Sequence, residues 1–211
     1  MNHPTPRGRN PRQHGRRRPK REGPRVKPVP STTESVELSE AAASPRISEF
    51  VASTASELSF KRDARDESGL VSVFDVAAYI LDRCGAMTAM KLQKLVYYTQ
   101  AWSLVWDEKP LFGERIRAWA NGPVVPRLYG WHRGLYEVAS CPSGDPSLLT
   151  SEQQETAKAV VEFYGNRSSQ WLSDLTHRES PWRDSREGLL PGERGNGEIT
   201  HAAMAEYYGS L

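Results

Sequence analysis

The sequence has few cysteines and no long apolar run. Its two cysteines, Cys84 and Cys141, are far apart and belong to no CxxC pattern, so neither a disulfide framework nor a zinc site is indicated. No hydrophobic stretch approaches the length that spans a bilayer, and the N-terminus lacks the apolar segment of a signal peptide. These absences predict a soluble cytoplasmic protein with reduced thiols.

Motifs for catalysis, metal binding and phosphate binding are also missing. The histidines His132, His177 and His201 are dispersed and form neither an HxxxH nor an HExxH pair. The stretch GERGNGEI at 192–199 lacks the Lys-Ser/Thr ending of a P-loop and is interpreted as a flexible turn. No oriented base is recognisable beside either cysteine. We therefore expect no catalytic residue, no metal and no cofactor, and we predict that the protein is not an enzyme.

Aromatic residues are scarce in the first third of the chain. Seventeen of the nineteen lie from position 70 onward, so only this part carries enough apolar area to offset the loss of chain entropy on folding. The charge is uneven as well, with a net charge of +9 over residues 1–28, −4 over 29–69 and −3 over 70–211. This distribution predicts one folded domain at residues 70–211, preceded by two regions of different composition.

Residues 1–30 form a basic arm rich in Arg, Pro and Gly, which we expect to be disordered because almost no side chain there can build a core. Arg-rich arms bind phosphate backbones through counterion release. The residues that would bind nucleic acid in this way are Arg7, Arg9, Arg12, Arg16, Arg17, Arg18, Lys20 and Arg21. A solvated tail without a binding role explains the same composition equally well.

Residues 31–69 are rich in Ser, Ala and Glu, a composition typical of a linker. Within them, residues 45–58 have the apolar spacing of a short helix. Such a segment is either a partner-binding element that folds on contact or a marginal helix packed on its own domain.

Within the domain, capping residues and apolar spacing predict about six helices and little sheet, a mainly α fold. Helix starts are predicted at Ser72, Thr88, Pro126, Thr150 or Ser151, Ser168, Ser180 and Thr200. The helix after Thr88 is apolar on all sides, which is typical of a central helix. Residues 111–122 alternate enough to form a short strand or half of a hairpin.

Several side chains of this domain have a predicted place. We expect Leu92, Leu95, Trp102 and Trp182 inside the core, and Met204 in a hydrophobic staple with Ile199. Gln93 and Gln100 lie seven residues apart on the central helix and share one stripe. Buried amides there would need backbone or side-chain partners, whereas the same spacing is also compatible with a solvent-facing stripe.

Four segments resemble a known family. They are MTAMKLQKLVYYTQAWSLVWDEKPLF, IRAWANGPVVPRLY, LSDLTHRESPW and ITHAAMAEYY, which begin at Met87, Ile116, Leu172 and Ile199. Together they resemble the Panacea domain, the family of SocA-like antitoxins that is also seen in phage-associated proteins, over residues 70–208. The resemblance implies a mainly helical domain with a small β element.

The resemblance also implies a function and a surface. Members of this family neutralise a toxin encoded beside them by direct binding, and some deliver the toxin to a cellular protease. Interface centres favour Trp, Tyr and Arg, and a turn between a strand and a helix displays part of its backbone. The candidates for the toxin-facing surface are therefore Trp119, Asn121, Gly122, Pro123, Val124, Arg127, Tyr129 and Trp131.

Other interpretations stay open at this point. The same turn is equally well explained as a rigid support of the fold. A nucleic-acid-binding regulator would rest on the basic arm, because the domain is slightly acidic and has no clear helix-turn-helix. An enzyme would need an unrecognised site, for which His177 and Glu179 are the residues to test.

Overall fold

The structure is a computed structural model that describes residues 70–190 and 192–211. The predicted basic arm (1–30) with its nucleic-acid-binding candidates, the linker (31–69) and the helix at 45–58 lie outside the described residues. The described part contains seven α-helices: α1 (Val73–Cys84), α2 (Ala89–Trp106), α3 (Pro126–His132), α4 (Ser151–Tyr164), α5 (Ser169–Arg178), α6 (Ser180–Asp184) and α7 (His201–Gly209). The prediction of a mainly α fold is confirmed.

The helices begin where the sequence places their caps. The hydroxyls of Ser72, Thr88, Thr150, Ser168 and Thr200 each accept a hydrogen bond from a backbone N–H of the first turn. A capped first turn satisfies donors that have no partner within the helix. Helices α3 and α6 have no side-chain cap and begin instead with a proline in the first turn. Because proline has no N–H to satisfy, it suits this position.

Helix α2 runs through the centre of the domain. It packs against α1, α4, α5 and α7, and its side chains at Leu92, Leu95, Val96 and Ala101 are fully buried. The predicted central position of this helix is therefore confirmed. The core that surrounds it runs from Val73 to Tyr208 along the chain and includes both Ile199 and Met204.

The strands are short and antiparallel. They are β1 (Met87–Thr88), β2 (Ile116–Trp119), β3 (Gly122–Val124), β4 (Glu137–Val138) and β5 (Gly197–Ile199). Strands β2 and β3 form the predicted hairpin, β5 pairs with the other edge of β2, and β1 pairs with β4. The end of the glycine-rich stretch 192–199 is thus a strand and not a turn. Local composition could not show this, because its partner lies about eighty residues earlier.

Burial tests the predicted core positions of four side chains. Leu92, Leu95 and Trp102 are buried as predicted, whereas Trp182 is half-buried and packs at the edge of the core. Trp182 remains partly exposed because α6 is only five residues long and lies at the surface.

No helix among the described residues has the length and apolar character needed to cross a bilayer.

Candidate functional site: the hairpin tip and its cavity

The β2–β3 hairpin turns tightly between Trp119 and Gly122, which are paired in register. Gly122 has a φ of 103°, a conformation that side chains disfavour. A Cβ at this position would lie 2.6 Å from Lys94 Cε and 2.9 Å from Thr176 Oγ1. Only glycine therefore fits between the hairpin and the helices beneath it.

Four backbone carbonyls around the hairpin tip accept hydrogen bonds from side chains of α2, α5, α6 and the turn after α6. The bonds run from Arg186 Nη1 to Ala118 O (3.0 Å), from Trp182 Nε1 to Trp119 O (2.9 Å), from Ser173 Oγ to Asn121 O (3.2 Å) and from Lys94 Nζ to Pro123 O (3.2 Å). Since each donor comes from a different position along the chain, the tip is held in one geometry before any partner arrives.

Two glutamines of α2 form hydrogen bonds with the backbone on either side of the hairpin. Gln100 Oε1 accepts hydrogen bonds from the backbone N–H groups of Leu111 and Phe112, at 2.9 and 3.1 Å. Gln93 Oε1 accepts one from the N–H of Val125 at 2.9 Å. Both glutamines are buried, and their amides have backbone partners. The stripe that they share therefore faces the interior and not solvent.

Each of these glutamines also contacts a histidine. Gln93 Nε2 lies 2.8 Å from His132 Nε2, and Gln100 Nε2 lies 2.9 Å from His201 Nε2. An amide nitrogen only donates, so each imidazole Nε2 accepts and is unprotonated. Burial lowers the pKa of both histidines, which favours the same neutral state.

Lys94 is the charged residue at the centre of this region. Its side chain is 1% exposed, and burial lowers its pKa to about 7. The hydrogen bond to Pro123 O uses one of its three N–H donors, and no carboxylate of the described residues lies within ion-pairing distance. Because burial without a counter-charge disfavours the ammonium, Lys94 is only partly charged near pH 7.

Glu179 lies between α5 and α6, 4% exposed, against the tyrosines of α2 and α7. Its carboxyl oxygens lie 2.6 Å from the hydroxyl of Tyr208 and 3.2 Å from that of Tyr98. The hydroxyls of Tyr97 and Tyr208 are 3.2 Å apart. Burial raises the pKa of Glu179 to about 8, so this carboxyl is mostly neutral at pH 7.

His177 is stacked on Trp182, with ring centroids 4.0 Å apart. Its Nε2 is buried and has no hydrogen-bond partner among the described residues. Burial, together with the nearby charge of Lys94, lowers its pKa and favours the neutral imidazole. His177 and Glu179 belong to different contacts, so the structure does not bring them together as a pair.

A cavity of about 640 Å³ opens beside the hairpin tip. Its lining includes Gln93, Lys94, Trp119, Asn121, Val124, Tyr129, His132, Arg133, Leu135 and Arg194. It is thus shared by α2, the hairpin, α3 and the segment before β5. No group of His, Cys, Asp and Glu in the described part of the chain is arranged to hold a metal ion.

Comparison with known proteins gives one match. The family model described as antitoxin SocA-like, Panacea domain, matches residues 92–183. These residues run from the first turns of α2 to α6 and include the hairpin tip with most of its anchoring side chains. Residues 92–183, which are less than half of the chain, are therefore similar to a Panacea domain. No curated protein and no solved structure matches the chain.

The match covers the middle of the folded unit. The resemblance in the sequence spans residues 70–208, and the hydrophobic core of the folded unit likewise draws on α1 and α7, which lie outside the matched residues. Three of the segments that carry the resemblance meet in space, because Gly122 lies against both Lys94 and Thr176. They meet at the hairpin tip.

The structure separates the eight predicted partner-binding residues into two groups. Asn121 and Arg127 are exposed and Trp119, Tyr129 and Trp131 are half-buried, so all five reach the surface. Gly122, Pro123 and Val124 are buried and support the tip from within. Some residues of the turn are therefore accessible to a partner, whereas others support the fold.

Sequence reasoning did not single out Lys94, His132 or the exposed residues Leu135 and Tyr136 as site residues. The only sequence signal for Lys94 is its position within an otherwise apolar stretch, KLQKLVYY, of a helix predicted to be central. Whether a lysine there reaches solvent or stays buried depends on the hairpin, which lies about 30 residues further along the chain.

Proposed function

We propose that this protein is an antitoxin that neutralises the toxin of a neighbouring gene by direct binding in the cytoplasm. The match to the SocA-like antitoxin family supports the role, and the anchored hairpin tip supports the mode of action. A surface that is already ordered loses little entropy when it binds a partner.

The proposed contact surface, called the recognition face below, consists of Trp119, Asn121, Tyr129, Trp131, Leu135 and Tyr136. Leu135 and Tyr136 follow α3 and are 54% and 82% exposed. Their backbone is ordered, because Leu135 N donates to His132 O and Ala89 N donates to Tyr136 O, both at 2.9 Å. Large apolar side chains exposed on fixed backbone, next to the aromatic pair Trp119 and Tyr129, are typical of interface centres.

Co-expression with the neighbouring gene tests the role. We expect the neighbour alone to stop growth and its co-expression with this protein to restore it, with the two proteins eluting as one complex from a sizing column. A neighbour that is harmless, or growth that is not restored, contradicts the proposal.

Substitutions on the recognition face test the surface. Tyr136→Ala and Trp119→Ala should each weaken toxin binding by about tenfold or more, since truncated interface aromatics commonly cost at least 1–2 kcal/mol. Leu211→Ala is the matched control, because it removes an exposed apolar side chain at the C-terminus. Equal affinities for all three variants and the wild type, measured by calorimetry, would place the contact elsewhere.

Titration distinguishes binding from catalysis. We propose that neutralisation is stoichiometric and needs no enzymatic activity, so a purified toxin should lose activity in proportion to added antitoxin up to an equimolar ratio. Complete inhibition at a small fraction of that ratio would indicate an enzyme instead. Delivery to a protease would show as a falling toxin level in cells without inhibition by the purified protein.

Nucleic-acid binding by the arm stays a separate prediction. Its candidates, from Arg7 to Arg21, lie outside the described residues. A chain that lacks residues 1–28 should lose any mobility shift of RNA or DNA, and an unchanged shift contradicts the prediction.

A further inference from the structure

The cavity beside the hairpin tip has a consistent charge. Lys94 lies on its buried wall, Arg133 and Arg194 are exposed where it opens, and no Asp or Glu belongs to its lining. Gln93 and Asn121 add neutral polar groups. A cavity lined by three cationic side chains and no carboxylate attracts an anion.

Lys94 is the strongest indication of an anion site. Its ammonium has two N–H donors beyond the bond to Pro123 O, and the residue forms part of the lining of the cavity. Burial without an ionic partner disfavours the ammonium form of Lys94, as its lowered pKa shows. Occupation by an anion would supply the missing counter-charge.

The lining also contains two aromatic side chains. Trp119 and Tyr129 both line the cavity, with ring centroids 4.8 Å apart in an edge-to-face arrangement. Half-buried aromatic faces of this kind stack on planar rings. The volume of about 640 Å³ is within the usual range for small-molecule sites and is too large for a single inorganic ion.

We propose that this cavity binds a nucleoside phosphate, with the phosphate paired to Lys94 and the arginines at the opening, and the base against Trp119 and Tyr129. The charge of the lining selects the phosphate, and the aromatic wall selects a ligand with a ring. This inference goes beyond toxin binding and does not depend on it, although Trp119 and Tyr129 belong both to the cavity lining and to the recognition face.

Calorimetry on the full chain tests the proposal with four probes: AMP, ADP, adenosine and inorganic phosphate. The titrations are run at pH 6.5, where Lys94 is mostly charged because its pKa is about 7. We expect AMP or ADP to bind at least tenfold more tightly than either adenosine or phosphate, since the phosphate and the base each contribute to the affinity. Equal binding of phosphate alone would overturn the assignment of a ring, and no binding of any probe would overturn the site.

The basic arm requires an internal control, because its charge attracts nucleotides without any cavity. Lys94→Met keeps the arm and the length of the side chain but removes the ammonium, so it should weaken nucleotide binding about tenfold or more. Lys91→Gln, one turn earlier on α2 and outside the lining, should leave the affinity unchanged. Equal affinities for wild type and Lys94→Met would assign the binding to the arm and overturn the proposal.

Arg194→Gln provides a second variant in case Lys94→Met does not fold. Arg194 is exposed, so the substitution leaves the core intact and should weaken nucleotide binding severalfold. An unchanged affinity in this variant contradicts a phosphate at the opening. An acidic peptide that binds the wild type while every nucleotide fails to bind would show that the cavity receives a protein segment instead.

Discussion

Glu179 shows how a single buried residue makes the stability of the domain depend on pH. Its carboxyl accepts hydrogen bonds from the hydroxyls of Tyr98 and Tyr208, and burial raises its pKa to about 8 from 4.5. In the unfolded chain the same carboxyl ionises near its ordinary pKa. Between these two values the folded state holds one proton more than the unfolded state, so this residue makes folding less favourable as the pH rises.

Glu179→Gln should remove this dependence. Below pH 4.5 the neutral carboxyl contributes its full stabilisation, which is lost as the pH rises toward 8. The free energy of unfolding of the wild type, measured with urea and expressed relative to Glu179→Gln, should therefore fall by up to about 1.4 kcal/mol per pH unit from pH 5 to 8.

The exposed Glu187→Gln serves as the control, and its difference from the wild type should not follow this slope. Parallel stability curves for the wild type and Glu179→Gln would show that Glu179 is ionised in the folded protein.

At the scale of elements, the β2–β3 hairpin is held by side chains and not by its own length. Its two strands are four and three residues long, and isolated hairpins of this size are marginally stable in water. The carbonyl bonds from Lys94, Ser173, Trp182 and Arg186 replace the ladder that a longer hairpin would have. The tip therefore depends on α2, α5 and α6 for its shape.

Gly122→Ala tests whether the hairpin tip must lie close to α2 and α5. The added Cβ would meet Lys94 and Thr176 at a positive φ, so we expect a loss of about 1–3 kcal/mol in the free energy of unfolding. Gly130→Ala is the matched control, because nothing lies within 4 Å of its added Cβ and it sits inside α3. Alanine there should stabilise by about 0.5–1 kcal/mol.

Denaturation with urea measures both changes. Equal effects of the two substitutions would mean that the hairpin tip is free to move away from α2.

At the scale of the molecule, the folded unit is larger than the residues that match the family model. Helix α1 contributes Val73, Val76 and Ile80 to the core, and α7 contributes Met204 and Tyr208, all buried and all outside residues 92–183. Tyr208 also completes the contacts of Glu179. Removing these helices would expose the flanks of α2 to water.

A chain limited to residues 92–183 should therefore fail to fold, whereas residues 70–211 should give a cooperative thermal transition. Circular dichroism at 222 nm with heating measures this, because the loss of packing on α2 removes most of the stabilisation of the helices. A cooperative transition in the shorter chain would show that α1 and α7 are accessory.

The sequence was sufficient wherever a structure depends on neighbouring residues. Capping hydroxyls such as Ser72 and Thr88 act on an N–H two or three residues away, and Pro126 acts on its own turn, so helix starts follow from local chemistry. The apolar circumference of α2 likewise predicted its central position. The turn at Gly122 was recognisable for the same local reason.

The tertiary structure decided what depends on residues far apart in the chain. Strand β5 exists because it pairs with β2, and Lys94 is buried because the hairpin covers it. The raised pKa of Glu179 results from burial against α2 and α7, whose Tyr98 and Tyr208 hydrogen-bond its carboxyl. By itself the sequence determined which helices form and which family the domain resembles. Only the fold determined which polar groups lose their water, because burial is set by contacts between distant segments.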